Sequence, residues 1–209
     1  MEESNIKTTG KNIPYLLMAT GLEFRLQFDA NDCFSDPLGI EEVAHHLSQI
    51  NRFNGATYAP YSVAQHCLLC SRLVPSPFQL PALLHDANEV ILGDTTTPLK
   101  QWLGGEAIME IEDMVQNQVY AMFGLEEDLH KHWIIREADL VLLETEYRDL
   151  LPESSRWQHH EGIRAMGNTI KPIPAKMAKE LFIDRFKVLS TPERLAQDKA
   201  ARQEVSADV

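Results

Sequence analysis

The sequence contains no long apolar run and few cysteines, and both absences limit what the chain can be. No segment reaches the roughly 18 consecutive apolar residues from which a transmembrane helix is predicted. Residues 1–11 lack the apolar core of a secretory signal, and the three cysteines are too few for a disulfide framework. We therefore expect a protein of the reducing cytoplasm that does not span a membrane.

Basic charge is also scarce. The 19 Lys and Arg residues are outnumbered by 31 Asp and Glu residues, which gives a formal net charge of −12. Nucleic acid polymers and anionic lipids are bound through basic patches, and no Lys/Arg-rich run is present, so both classes of partner are disfavoured. A small phosphate ester is not excluded, because one metal ion and one or two basic side chains outweigh a distant acidic surface.

The hydrophobic pattern predicts one all-α domain, a helical bundle with a short N-terminal β-hairpin. The 209 residues are 44% hydrophobic, as in ordinary single domains. Alternating apolar residues over 15–29 predict the hairpin, and the charged tail 191–209 is expected to fray outside a core of about 20–190. Apolar residues at helical spacing predict helices over 40–51, from 60 or 62 to about 73, over 80–92, from about 98, and over 105–123, 135–151 and 175–189.

The helix predicted over 80–92 carries the densest set of chemically useful side chains. Residues four apart lie on the same face of an α-helix, so His85 and Glu89 lie together with Asp86 beside them. Such a cluster is more often a solvated polar face than a functional site, so it requires support from elsewhere in the chain.

Asp139 and His66 provide that support. Asp139 has apolar neighbours at helical spacing, where an ionised carboxylate is costly unless it is bound to a metal or paired, for example with Arg136 or Arg148. His66 falls in another predicted helix, where a satisfied core histidine is the ordinary interpretation. Together with His85 and Asp86 these residues would form two imidazoles and two carboxylates. That set suits Mn, Fe, Co, Ni or Zn, with Mg as a possible second ion.

The order of these residues resembles the H…HD…D signature of HD-domain phosphohydrolases. A bare His-Asp pair is a weak signal, but several longer blocks in the same order make the resemblance strong. It covers roughly residues 20–190. The segment Leu47–Gly55 is similar to phage and prophage-encoded members. The blocks that resemble the bacterial 5′-deoxynucleotidase branch are Tyr61–His66, His85–Val90 and Gly93–Lys100.

The resemblance implies a role for particular residues of this chain. The implied metal ligands are His66, His85, Asp86 and Asp139, with His45 and His46 as competitors for the first position. The implied catalytic residues are Glu89, which handles protons, and Asp94, near the sugar and phosphate. The implied substrate-binding residues are Arg52, Phe53, Asp94, Thr95 and Lys100. The deoxynucleotidases have a tryptophan where this chain has Phe53, which leaves the choice between deoxyribose and ribose open.

The resemblance also implies an enzyme that cleaves the 5′-phosphate ester of (deoxy)nucleotides. A 5′-nucleotidase would release a nucleoside and phosphate from a monophosphate, whereas a dNTP triphosphohydrolase, acting for example on dATP, would release tripolyphosphate. Signalling nucleotides such as (p)ppGpp or cyclic dinucleotides are a further substrate class, and a catalytically inactive nucleotide-binding module is the non-enzymatic alternative. We expect a homo-oligomer formed through helices 105–123 and 135–151, and a role in a phage nucleotide pool.

Other polar residues are interpreted as structural. Cys67 and Cys70 lie in a helix with apolar neighbours and lack a second ligand pair, which predicts buried thiols rather than a zinc site. Glu144 and Glu146 are expected to face solvent or a neighbouring subunit.

Overall fold

The computed structural model describes residues 14–26, 37–154 and 157–207. These residues are about 61% helical and contain one two-stranded sheet, which confirms the prediction of a mostly α fold with a short N-terminal hairpin. The strands are β1 (Tyr15–Leu17) and β2 (Glu23–Arg25). The helices are α1 (Ile40–Gln49), α2 (Val63–Leu73), α3 (Gln79–Leu83), α4 (Glu89–Leu92), α5 (Thr97–Trp102), α6 (Glu106–Met122), α7 (Trp133–Leu150), α8 (Ala175–Leu189) and α9 (Pro192–Ala207).

The hairpin is antiparallel and is held to the core by one aromatic side chain. Leu16 pairs with Phe24, whose side chain is fully buried. Gly21 supplies the left-handed conformation, at φ 88°, that closes the connection. The predicted continuation of the strand through Phe28 and Asp29 lies outside the described residues.

Helix α2 lies at the centre of the fold and contacts α1, α3, α7 and α8. Ser62 caps its N-terminus by accepting a hydrogen bond from the backbone N–H of Gln65 at 3.3 Å. Most residues of this helix are buried, including the small or apolar residues Ala64 and Cys67. The helix thereby brings His66, one of its few polar residues, into the protein interior.

The helix predicted over 80–92 is broken at its centre. It divides into α3 and α4, and His85 and Asp86 lie in the turns between them. In a continuous helix the N–H of Asn88 would bond to the carbonyl of Leu84. Instead the side chain of Gln116, from α6, accepts from the Asn88 N–H at 2.9 Å and donates to the Leu84 carbonyl at 2.8 Å. A side chain inserted in this way interrupts a helix, so the prediction of one uninterrupted helix is wrong.

The prediction that the tail frays is also wrong for the described residues 192–207, which form α9. Arg202 donates to the carbonyl of Pro77 at 2.6 Å and forms an ion pair with Glu126 at 2.7 Å. The helix is thus attached through polar contacts, which its low hydrophobicity does not reveal. In the part of the chain that the structure describes, no helix has the length and hydrophobicity of a membrane span.

Candidate metal centre

The other three side chains predicted as metal ligands all approach Nε2 of His66. His66 comes from α2, His85 and Asp86 from the break between α3 and α4, and Asp139 from α7. Nε2 of His66 is 3.3 Å from Nε2 of His85, 3.0 Å from Oδ1 of Asp139 and 3.6 Å from Oδ2 of Asp86. Nε2 of His85 is 3.4 Å from Oδ2 of Asp86 and 4.0 Å from Oδ1 of Asp139.

These separations fit atoms that share one divalent ion. Two ligand atoms each about 2.1 Å from an ion are about 3.0 Å apart at a right angle and about 3.4 Å apart at the tetrahedral angle. Nδ1 of His85 lies 2.8 Å from the carbonyl oxygen of Ala82, which only accepts, so Nδ1 carries the proton and Nε2 is available as a ligand. Nδ1 of His66 is likewise engaged, at 2.6 Å from Oε1 of Glu146.

Protonation of the ligands follows from the same arrangement. Burial and the nearby Arg52 lower the pKa of His66, but the carboxylates of Glu146 and Asp139 outweigh them and raise this pKa to about 10. Burial acts to raise the pKa of Asp139, but its hydrogen bond to His66 and the neighbouring positive charges hold it well below its usual value. A cation and a proton therefore compete for Nε2 of His66, as is usual for a histidine ligand.

The centre is closed behind the imidazoles and open at the carboxylates. His66 is fully buried and His85 is 8% exposed, whereas the side chains of Asp86 and Asp139 are 22% and 40% exposed. A ligand from solvent therefore approaches from the carboxylate side. The prediction of a metal site is supported in part, because the structure contains a group of buried and half-buried donors that could hold an ion.

Arg52 lies at the rim of this opening. Its Nη1 is 3.5 Å from Oδ2 of Asp86, and its Nε donates to Oε2 of Glu146 at 3.2 Å. The backbone N–H of Arg52 donates to the carbonyl of Tyr61 at 2.9 Å, which ties the loop to the start of α2. Burial acts to lower the pKa of Arg52, but the surrounding carboxylates raise it well above its usual value, so the guanidinium remains charged.

The loop after Arg52 is strained. Phe53, Asn54 and Gly55 follow one another in the left-handed region, with φ of 56°, 51° and 76°. For residues other than glycine this conformation costs about 1–3 kcal/mol, and such strain clusters at ligand-binding sites. The guanidinium carbon of Arg52 is 5.3 Å from the centre of the Phe53 ring. Burial raises the pKa of Asp94 and the charge of Arg52 acts to lower it, which places the Asp94 carboxyl group within electrostatic reach of this loop.

Glu89 and Asp94 supply two further carboxyl groups near the ligands. Glu89 is buried, and its Oε2 has no hydrogen-bond partner within the described residues. Burial and the charges of Asp86 and Asp94 raise the pKa of Glu89 well above its usual value. Burial also raises the pKa of Asp94, with Arg52 opposing it. Both groups can therefore hold a proton close to the centre.

Lys100 and Thr95 are the remaining residues predicted to bind substrate. Lys100 lies in the last turn of the short helix α5 and forms an ion pair of 2.8 Å with Glu112 of α6. Neither residue contacts the four ligands within the described ranges. The role predicted for Lys100 in phosphate binding therefore has no geometric support.

Glu146 was missed by the sequence analysis. It is fully buried rather than solvent-facing, and it contacts both His66 and Arg52. The available signal was its spacing of two helical turns from Asp139 on α7, which places both residues on one face. Glu144 is also buried and accepts hydrogen bonds from His159 and His160, so the prediction that it faces solvent or a neighbouring subunit is wrong.

Three other assignments are resolved by the contacts. Cys67 and Cys70 are buried free thiols, as predicted, although Cys67 lies close enough to His85 and Asp86 to form a second possible ligand group. Arg148, the alternative partner of Asp139, instead pairs with Asp149 at 2.7 Å. His45 and His46 belong to no group of potential metal ligands in the described part of the chain.

The fold and these donors define a mostly helical protein with a candidate divalent-metal centre. The chain is 39% identical to the uncharacterized protein YfdR of Escherichia coli K12 over 164 residues, which cover 77% of this chain and 89% of YfdR, so it belongs to the YfdR family. An uncharacterized protein of Rhodobacter capsulatus is 42% identical over 96 residues, covering 41% of this chain and 48% of that protein. No family model matches the chain.

Proposed function

We propose that the chain is a divalent-metal-dependent phosphohydrolase of the HD-domain type that cleaves the 5′-phosphate ester of (deoxy)nucleotides. One observation carries the proposal: Nη1 of Arg52 is 3.5 Å from Oδ2 of the candidate ligand Asp86. A cation-binding centre and an anion-binding group therefore share one opening. Phosphate esters need both, because their oxygens are neutralised jointly by metal ions and guanidinium groups.

The metal ligands and Arg52 would have different roles in hydrolysis. A divalent ion held by His66, His85, Asp86 and Asp139 would polarise a phosphoryl oxygen and lower the pKa of water. Arg52 would neutralise a second phosphoryl oxygen through Nη2, since its contacts among the described residues are made by Nε and Nη1.

The carboxyl groups beside the ligands would manage the protons. The buried Oε2 of Glu89, which has no hydrogen-bond partner among the described residues, would orient water for in-line attack on phosphorus and take up its proton. Asp94, whose pKa is raised by burial, would return a proton to the departing 5′-oxygen. Water and the ester are consumed, and a nucleoside and inorganic phosphate are released.

The favoured activity is that of a 5′-nucleotidase on monophosphates. A dNTP triphosphohydrolase that releases tripolyphosphate uses the same arrangement of metal ligands and arginine, and it remains the second enzymatic candidate. The pairing of Lys100 with Glu112 favours the monophosphate, because it removes from the site the extra cation that a longer phosphate chain would use.

The test is hydrolysis of a panel of (deoxy)nucleoside mono-, di- and triphosphates with Mn, Co, Zn or Mg, and with EDTA as the control. Phosphate and a nucleoside from a monophosphate are expected. Tripolyphosphate from one triphosphate would select the triphosphohydrolase, and ligand-induced stabilisation without turnover would select a binding module. Asp86→Ala should abolish metal binding and turnover; unchanged turnover in this variant would refute the site.

A further inference from the structure

We propose that Glu146 is a positioning residue that sets, through one buried carboxylate, the orientation of both the metal ligand His66 and the phosphate-binding residue Arg52. The inference rests on the proposed function, which supplies the roles of the two partners. Glu146 itself lies behind them and reaches neither the ion nor the substrate.

The two oxygens of Glu146 have different partners. Oε1 is 2.6 Å from Nδ1 of His66, and Oε2 accepts from Nε of Arg52 at 3.2 Å. The Glu146 side chain is fully buried, so water does not compete for either oxygen. A carboxylate behind a ligating imidazole fixes the orientation of the ring and makes it a stronger ligand.

The contacts of Glu146 form part of a closed ring. Nε2 of His66 and Nη1 of Arg52 both point to Oδ2 of Asp86, at 3.6 Å and 3.5 Å. Glu146 and Asp86 therefore hold the imidazole and the guanidinium from opposite sides. Rotation of either group changes the distance between the ion-binding and the phosphate-binding positions, and this distance decides whether one phosphate reaches both.

A purely structural role predicts a different outcome. A buried ion pair is weak support for stability, because the desolvation of both charges offsets their attraction. A structural carboxylate on α7 would affect unfolding without a selective effect on metal affinity. Glu144 provides the comparison, because it lies in the same helix, is also buried and contacts only His159 and His160 among the described residues.

Glu146→Gln separates the two roles. The amide has one oxygen, so it accepts from His66 or from Arg52 but not from both, and its NH2 group then faces a donor. We expect the Mn2+ dissociation constant, measured by isothermal titration calorimetry, to rise about 10–100-fold. The KM for the nucleoside monophosphate at saturating Mn2+ should rise as well. Glu144→Gln should leave both values within about twofold of the wild type, since the two sites share no partner.

Four results would overturn the inference. A folded Glu146→Gln variant with the wild-type dissociation constant and KM would do so, as would equal losses in Glu144→Gln. If Glu146→Gln does not fold, Glu146→Asp is tested instead, because it keeps the charge and both acceptor oxygens but moves them back by the length of one methylene group. Unchanged metal affinity in Glu146→Asp is the third contradicting result. If the wild-type protein binds Mn2+ but hydrolyses no nucleotide, the proposed function is refuted. The positioning role of Glu146 is then decided by the Mn2+ dissociation constants of the wild type and Glu146→Gln. Wild-type protein that binds no metal refutes both.

Discussion

His66 and His85 face one another through their Nε2 atoms, 3.3 Å apart, while the Nδ1 atom of each ring is bonded elsewhere. The Nε2 atom of His85 is left with a lone pair directed at its neighbour, and two carboxylates converge on the same space. Only a proton or a cation makes this arrangement favourable. The facing pair of histidines therefore indicates a cation-binding centre more strongly than either histidine alone.

The first prediction is that divalent ions stabilise the protein through these rings. Mn2+, Co2+ or Zn2+ should raise the thermal unfolding midpoint, because an ion that binds only the native state shifts the folding equilibrium. His85→Ala should abolish the shift, and EDTA should reverse it. His45→Ala is the matched control, because His45 belongs to no ligand group in the described residues and its variant should retain the wild-type shift. A shift that survives in His85→Ala would exclude the centre as the binding site.

The second prediction separates the two basic residues that the sequence placed at the phosphate. Arg52→Ala should raise the KM for a nucleoside monophosphate about 10–100-fold, the effect of losing a hydrogen bond to a charged group. Lys100→Ala should change the KM less than about threefold, because the Lys100 ammonium is paired with Glu112 and is not free to bind phosphate. Steady-state kinetics at saturating metal provide the comparison. A larger effect of Lys100→Ala would show that α5 moves to the substrate.

The ligands could be predicted from the sequence because each is identified by residue type and order along the chain. His66, the His85–Asp86 pair and Asp139 follow a pattern that the sequence reveals, and the structure places His85, Asp86 and Asp139 within 3.6 Å of Nε2 of His66. The burial of Glu146 could not be predicted in this way. Its partners His66 and Arg52 are 80 and 94 residues distant in sequence, and without them a glutamate near a helix end is expected to face solvent.

The same limit explains the two errors in the helices. The break before Asn88 depends on Gln116, which is 28 residues away in sequence. The apolar periodicity over 80–92 therefore does not predict the break. The attachment of α9 depends on Arg202, whose acceptor Pro77 is 125 residues away. Polar groups that replace local hydrogen bonds over such distances are determined by tertiary packing, which apolar spacing along one segment does not encode.

The third prediction concerns Gln116. Gln116→Leu has a similar size but leaves the Asn88 N–H and the Leu84 carbonyl without partners, which should lower the free energy of unfolding by about 1–3 kcal/mol. If the helix instead closes across the gap, His85 and Asp86 rotate out of the centre. In either case the affinity for Mn2+ should fall, as measured by calorimetry.

The control for Gln116 is Asn117→Ala, on the same helix. Asn117 bonds to the exposed Asp128 instead of the break, so its loss should leave metal affinity unchanged. Wild-type metal affinity in a folded Gln116→Leu variant would show that the break does not depend on the inserted amide.

The fourth prediction is a pH dependence of stability that originates at Glu144. Burial acts to raise the pKa of this carboxyl, but hydrogen bonds from His159 and His160 lower it to about 2, against an ordinary value of 4.5. A carboxyl whose pKa is lowered in the folded state stabilises the protein above its unfolded-state pKa and loses that effect as the pH falls. The contribution of Glu144 should therefore be complete above pH 4.5 and disappear as the pH approaches about 2.

Urea unfolding of wild-type protein and of Glu144→Gln, measured in EDTA from pH 7 to pH 2.5, gives this contribution as the difference in unfolding free energy between the two chains. The difference in unfolding free energy should be constant near neutral pH and should narrow as the pH falls below about 4.5. Exposure of His159 and screening by water reduce its size but not its direction. Glu137→Gln, on an exposed part of α7, should show no such narrowing. A difference that grows towards acid pH would mean that Glu144 is protonated in the folded protein, and hence that the two histidines do not stabilise its charge.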